Sequence, residues 1–183
     1  MKALRRFLPA HLTRFLRDRD GVSAVEFALT LPLMIALYFG GAEISQGISI
    51  DRKMTLTGGA VANLAAQVQT ISNADMTNIF NAASSVMAPY STSNLKITVS
   101  CLNIDSTGKV TVSWSDTLNG TARAAGSSVT IPAALVIPNT SLIYSEVSYD
   151  YTPAVAYTIT GTLTLTDKMY MAPRLSTTVT RTS

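Results

Sequence analysis

The residues from Phe27 to Ala42 carry no charge, and they constrain the chain more than any other stretch. With Val22 to Val25 before them and Ile44 to Ile50 after, they supply the roughly 20 apolar positions that a membrane-spanning helix needs. The run therefore reads as a membrane segment and not as a core helix. One carboxylate, Glu26, sits near its start, five residues past Gly21, the glycine that closes a basic leader. An ionised acid in hydrocarbon costs at least a few kcal/mol, so its presence calls for a reason.

Charge placement sets the orientation. Net charge is +3, and Lys2, Arg5, Arg6, Arg14, Arg17 and Arg19 against Asp18 and Asp20 put more than all of that excess into the first twenty residues. From Gly21 onward the chain is slightly acidic. A basic tail before an apolar helix follows the positive-inside rule, so the leader is expected in the cytoplasm and no nucleic-acid partner is expected. Phe7, Leu8, Leu12, Phe15 and Leu16 give the leader an amphipathic character suited to an anionic membrane surface. At 183 residues, with 47% apolar and 14% charged side chains, the chain has room for one membrane element and one domain of ordinary size.

Three regions are expected: a basic leader over 1–21, a long membrane and membrane-proximal helix over 22–70, and a domain over 71–183. Pro32 interrupts the hydrogen bonding of the long helix, which membrane helices tolerate when the freed carbonyl is satisfied locally. Gly40-Gly41-Ala42 and Gly58-Gly59-Ala60 offer small surfaces for close helix contact, and Gly58-Gly59 is expected to be the weakest point. Asp51-Arg52-Lys53 marks the water interface, beyond which Met54, Val61, Leu64, Val68 and Ile71 continue as a helical stripe. A helix of roughly 45 residues follows, about 70 Å long at 1.5 Å per residue.

Ser72 or Asn73 can cap a second helix with Asp75 in its first turn and Met76, Ile79, Phe80, Ala83 and Met87 on one face. Met87-Ala88-Pro89 ends it. From Leu95 the period becomes two. Leu95, Ile97, Val99 and Cys101, then Val110, Val112 and Trp114 after the turn Asp105-Ser106-Thr107-Gly108, form a hairpin. The segment Val129 to Ile137, framed by Pro132 and Pro138, is ambiguous. Ile143, Ser145, Val147, Tyr149 and Tyr151 make the next alternating face, and Ala154 to Ile159 with Thr162 to Met169 add one or two more strands. The expected class is α+β: the long helix leads into a small domain in which one further helix packs on an antiparallel sheet.

No catalytic constellation emerges. His11 is the sole histidine and has no second histidine to complete a metal site; Cys101 is the sole cysteine and reads as a small buried apolar residue. Asp105, Asp116, Glu146, Asp150 and Asp167 are scattered over turns and strands. The chain is read as a non-enzyme with no metal and no cofactor. Tyr144, Tyr149, Tyr151, Tyr157 and Tyr170 read first as β-favouring aromatics on a half-buried sheet, with a partner-binding surface as the alternative. Asn119-Gly120-Thr121 and Asn139-Thr140-Ser141 match the glycosylation acceptor pattern, a motif too short to decide anything.

The run Arg19-Asp20-Gly21-Val22-Ser23-Ala24-Val25-Glu26-Phe27-Ala28-Leu29-Thr30-Leu31-Pro32, followed by Gly41-Ala42-Glu43-Ile44, resembles the amino-terminal signature of the TadE-like family of the tight-adherence (Flp) pilus system. Met87-Ala88-Pro89-Tyr90, the stretch from Ser145 to Tyr151, and Pro173 to Arg181 resemble the periplasmic part of alphaproteobacterial members. The resemblance implies a pseudopilin or minor pilin held in the bacterial inner membrane by a single pass, its C-terminal domain in the periplasm. By analogy with prepilins, a membrane prepilin peptidase would cut between Gly21 and Val22, leaving Glu26 as the fifth mature residue. Other pilins and pseudopilins and the pilus assembly platform are the implied partners. Glu26, Phe27, Pro32 and Glu43 are the implied assembly and membrane motif. An ammonium at Val22 and a carboxylate on a neighbouring subunit would offset each other's desolvation. The plainer alternative leaves Glu26 as an acid in the headgroup layer.

Three readings stay open at this point, with different mature termini. A processed pseudopilin begins at Val22, and an uncleaved bitopic scaffold of the same machine keeps Met1. A secreted binding domain with an ordinary signal peptide, cut after Gly40-Gly41-Ala42, begins at Glu43.

Overall fold

The computed structural model describes residues 21–154 and 161–182. The leader, with His11, and nearly all of the strand expected over Ala154 to Ile159, with Tyr157, lie outside the described residues. Helix α1 runs from Val22 to Ala66, 45 residues, and passes through Pro32 without a break. The chain divides into two compact units at Ala42 and Glu43. Within the first, described from Gly21, the apolar side chains of α1 are exposed, among them Leu29, Leu33, Met34, Leu37 and Tyr38.

The second unit is α+β. After the end of α1 it comprises β1 (Thr70–Ile71), α2 (Asn73–Met87), β2 (Leu95–Ile104), β3 (Val110–Leu118), β4 (Thr140–Tyr151), β5 (Leu163–Met171) and β6 (Thr180–Arg181). Four strands form an antiparallel sheet in the order β3-β2-β4-β5, and β1 pairs in parallel with β6. Helix α2 begins where the sequence predicts. The Ser72 hydroxyl accepts from the Asp75 amide, and the Asp75 carboxylate accepts from the Ser72 amide at 2.9 Å, a reciprocal cap that satisfies two helix-end donors.

Both helices bury one stripe against the same face of the sheet. From α1 come Ile50, Met54, Val61, Ala62, Ala65 and Ala66; from α2, Met76, Ile79, Ala83 and Met87. They meet Leu95, Ile97, Val99 and Cys101 of β2, Trp114 of β3, and Ile143, Val147, Tyr149 and Tyr151 of β4. The expected helical stripe is corrected at three positions. Leu64 is exposed, Val68 lies past the helix end, and Ile71 is a β1 residue. Small residues, which apolar-spacing arguments overlook, occupy much of the actual contact. A Cβ placed on Gly58 would lie 3.1 Å from Val147 Cγ2 and 3.5 Å from Met169 Cγ, so this glycine lets α1 approach the sheet closely.

The expected single face Val110, Val112 and Trp114 is divided. Cys101 pairs with Trp114 but Leu102 pairs with Val112, so Ser113 is an extra residue on β3. This bulge reverses the alternation. Trp114 joins the helix side, while Val110 and Val112 join Leu102, Ile104, Ile131 and Tyr144 on the opposite side. The ambiguous segment is not a strand; it carries a 3-10 turn, Ala133–Leu135, and its Val129, Leu135 and Val136 pack on that second cluster.

The C-terminal segment closes the domain. The Arg174 amide donates to the Ala66 carbonyl at 2.9 Å, satisfying an acceptor at the end of α1. Trp114 Nε1 donates to the Val179 carbonyl at 2.7 Å, and Arg181 bonds to Asp116 of β3 and Asn73 of α2.

The two adjacent glycines of α1 make a direct test of this packing. Replacing Gly58 by leucine is expected to destabilise the domain by about 1–3 kcal/mol, because the backbone-to-sheet gap has no room for a side chain. Gly59→Ala, whose added Cβ would meet nothing within 4 Å, is expected to stabilise the helix by up to about 1 kcal/mol. Denaturant unfolding of the full chain in detergent measures both; equal effects would contradict the assignment.

Candidate functional site

The amino-terminal motif is built on the first turns of α1. Gly21 is an exposed turn residue whose carbonyl accepts from the Val25 amide at 3.1 Å, and the helix starts with the next residue, Val22. Glu26 therefore stands one turn beyond Val22, on the same side of the helix. The Thr30 hydroxyl donates to the Glu26 carbonyl at 3.0 Å, so Thr30 turns its polar atom onto the backbone. Phe27 is exposed, as are Val22, Val25 and Leu29. Pro32 has no N–H to give to the carbonyl of Ala28, yet the helix continues. Glu43 stands apart from the other five, at the start of the second unit, where its carbonyl accepts from the Tyr151 hydroxyl at 3.2 Å.

An 18-residue stretch of α1 is apolar and wholly unburied, and the helix is long enough to cross a membrane. A helix apolar on all sides needs an apolar surrounding, supplied by lipid or by other helices.

Residues 21–62 match the family model described as TadE-like protein. The chain carries a TadE-like segment. This is the family that the residues around Gly21 and Glu26 lead one to expect. The TadE-like match, which takes in all six motif residues, suggests a protein associated with the tight-adherence pilus, in a family that is structural and not known as enzymatic. Neither the curated proteins nor the solved structures include a match to the chain.

A second candidate lies on the sheet face opposite the helices. Lys96, Thr98, Gly120, Thr121, Glu146 and Lys168 help to line an open groove of about 440 Å³. At its side Arg123 grips Glu146 through Nε and Nη2, each at 2.8 Å, and the Tyr144 hydroxyl donates to the same carboxylate at 2.8 Å. Tyr144 and Tyr170 stack with ring centroids 4.7 Å apart, and Arg123 lies over the Tyr144 ring. Burial, and then the hydrogen bond to Glu146, push the Tyr144 phenol far above its ordinary range. Both oxygens of Glu146 are thus engaged, and the cluster joins a loop to β4 and β5. Its chemistry is that of a polar brace across the sheet.

The tyrosines divide between the faces: Tyr149 and Tyr151 are buried on the helix side, Tyr144 on the other. Sequence reasoning missed the brace because Arg123 comes from an irregular loop; only the same-face spacing of Tyr144 and Glu146 hinted at it. Among the described residues no group of three or more His, Cys, Asp or Glu side chains is placed to hold a metal. Cys101 is buried with its sulfur 3.6 Å from the Thr178 hydroxyl, and desolvation pushes its thiol upward. The two glycosylation-like asparagines have positive φ, Asn119 at 54° and Asn139 at 61°, which explains asparagine at these turns on backbone grounds.

Three acids make the domain sensitive to acid. Asp75 is lowered by its hydrogen bond to the Ser72 hydroxyl, Asp105 by that to Thr107, and Asp150 by that to Lys96. Each is depressed in the folded state, so its contribution is present above the unfolded value near 3.9 and is lost as pH falls through the folded one. Melting temperature is therefore expected to fall below about pH 4. In Asp105→Asn that fall should be shallower; an unchanged acid limb in thermal scans would contradict the role given to Asp105.

Proposed function

We propose that the chain is a pseudopilin or minor pilin of a tight-adherence pilus. In this reading α1 anchors it in the bacterial inner membrane with the amino terminus in the cytoplasm, and the domain from Glu43 lies in the periplasm. It acts in pilus biogenesis and, through the pilus, in surface adhesion. The observation that carries the reading is a coincidence of boundaries: the family match starts at residue 21 and α1 starts at Val22, where the basic leader ends.

That junction suits cleavage between Gly21 and Val22. Gly21 is exposed, and a cut there places a new ammonium on the first helical residue. A positive charge at a helix N-terminus opposes the macrodipole, and in a low-dielectric bundle it also loses its water. The carboxylate of Glu26, one turn away on the same chain or on an adjacent subunit, offsets both costs. Phe27, Pro32 and the apolar residues between them then supply the surface that lipid or neighbouring pilin helices cover. The partners in this reading are the membrane, other pilins and pseudopilins, a prepilin peptidase and the assembly platform.

Intact mass and amino-terminal sequencing of the protein from native membranes test this directly. The expected terminus is Val22. Met1 would instead identify an uncleaved scaffold of the same machine, and Glu43 would overturn the anchored picture. Glu26→Gln and Glu26→Ala are expected to lower the amount of surface pili while the protein remains in the membrane; unchanged piliation would remove Glu26 from assembly.

A further inference from the structure

The end of the sheet where β4 stops and β5 starts is joined to α1 at Glu43. Tyr151, the last residue of β4, pairs with Leu163, the first of β5. Its hydroxyl donates to the Glu43 carbonyl, and its ring lies 3.7 Å from where a Cβ on Gly47 would be. Glu43 follows directly on the uncharged run, so this end of the sheet is fastened at the residue where α1 leaves its apolar stretch.

Three large apolar side chains stand exposed around that fastening, among polar neighbours such as Ser45, Gln46 and Ser49. Ile44 is 67% exposed, Ile48 50% and Leu163 43%. Ile44 and Ile48 stand one turn apart on α1, flanking the Glu43 and Gly47 side that meets Tyr151. The first charges beyond Glu43 on the helix are Asp51, Arg52 and Lys53, about 12 Å farther on at 1.5 Å per residue. A headgroup layer on one side of a bilayer occupies roughly 5–8 Å beyond the hydrocarbon. Ile44 and Ile48 fall in that interval, where partly apolar surface is favoured.

We propose that the Tyr151 and Leu163 end of the sheet, with Ile44 and Ile48 of α1, rests in the lipid headgroup layer and holds the domain against the bilayer. This rests on the reading of α1 as a membrane span. The occupant is the lipid surface, because the exposed isoleucines continue the apolar run that the span itself requires. Thr152 and Thr162, both exposed at this end, are bonded to each other through their hydroxyls at 3.2 Å.

The test uses the full chain in nanodiscs whose phospholipids carry bromine near the top of the acyl chains. Cys101 is buried and stays unlabelled, so single new cysteines at Leu163, Ile48, Met34 and Ser106 can each take a thiol-reactive fluorophore. Ser106 lies in the turn at the opposite end of β2. The expected result is loss of emission at Leu163→Cys, Ile48→Cys and Met34→Cys, and none at Ser106→Cys. Quenching at Met34 alone would overturn the proposal and leave the span standing; no quenching at Met34 would overturn both. Quenching at Leu163 and Ile48 that gives way to shielding only when two copies share a disc supports the lipid contact for the single chain. Shielding that is present without any quenching assigns the surface to a neighbouring copy and overturns it.

Discussion

The close approach of α1 to β4 at Gly58 is the constraint on which the domain depends. One helix has an exposed apolar half and a half packed on the sheet, and the change in its character is written in side-chain size as much as in polarity. Its opening turns carry Phe27, Leu29, Leu33, Met34, Leu37 and Tyr38 outward, whereas the part that packs on the sheet buries Thr57, Gly58, Ala62, Ala65 and Ala66. Large residues suit a helix in a fluid apolar surrounding; small ones let a rigid sheet come near. The approach has a cost. The hydroxyls of Thr57 and Ser145 are buried without hydrogen-bond partners, and such groups cost about 1–3 kcal/mol each. Ser145 belongs to the same close contact, its Oγ lying 3.9 Å from where a Cβ on Gly58 would be.

Much of the architecture was legible because it rests on local signals. Val22 and Ala66 bound a helix of the expected length, Ser72 and Asp75 form the cap that their spacing suggests, and Asp105 to Gly108 turn the expected hairpin. What escaped was set by contacts far apart in sequence. Ser113 has no feature that marks it as a bulge, yet it moves Trp114 to the helix side and separates it from Val112. Ile71 fits a helical stripe equally well, and only its pairing beside Arg181, 110 residues away, makes it a strand residue. Periodicity cannot register a parallel bridge of two residues.

The candidate motif was legible for a different reason. Gly21, Val22, Glu26, Phe27 and Pro32 lie within a single continuous stretch, so their order along α1 is their arrangement in space. Glu43 is the exception. The resemblance counts it in the assembly and membrane motif, and the structure makes its backbone the acceptor for Tyr151, 108 residues away. The brace of Arg123, Glu146 and Tyr144 belongs with the unreadable features, since a loop arginine can reach any acid that the fold happens to bring near.

The C-terminal segment bears on how the two ends of the domain share its stability. The carbonyl of Ala66 would be an orphan at the end of a buried helix, and the Arg174 amide satisfies it. Trp114 would bury an indole N–H without a partner, and the Val179 carbonyl accepts it. Arg181 then ties Asp116 to Asn73, joining the sheet edge to the start of α2. These bonds serve polar groups left over by the helices and the sheet, so residues 174–181 complete a core that the earlier elements cannot close alone. The fastening at Glu43 acts at the other end of the packed part of the same helix. Between Tyr151 at one end and Arg174 at the other, the packed half of α1 is held along its whole length, which is what a domain carried on a single apolar helix requires.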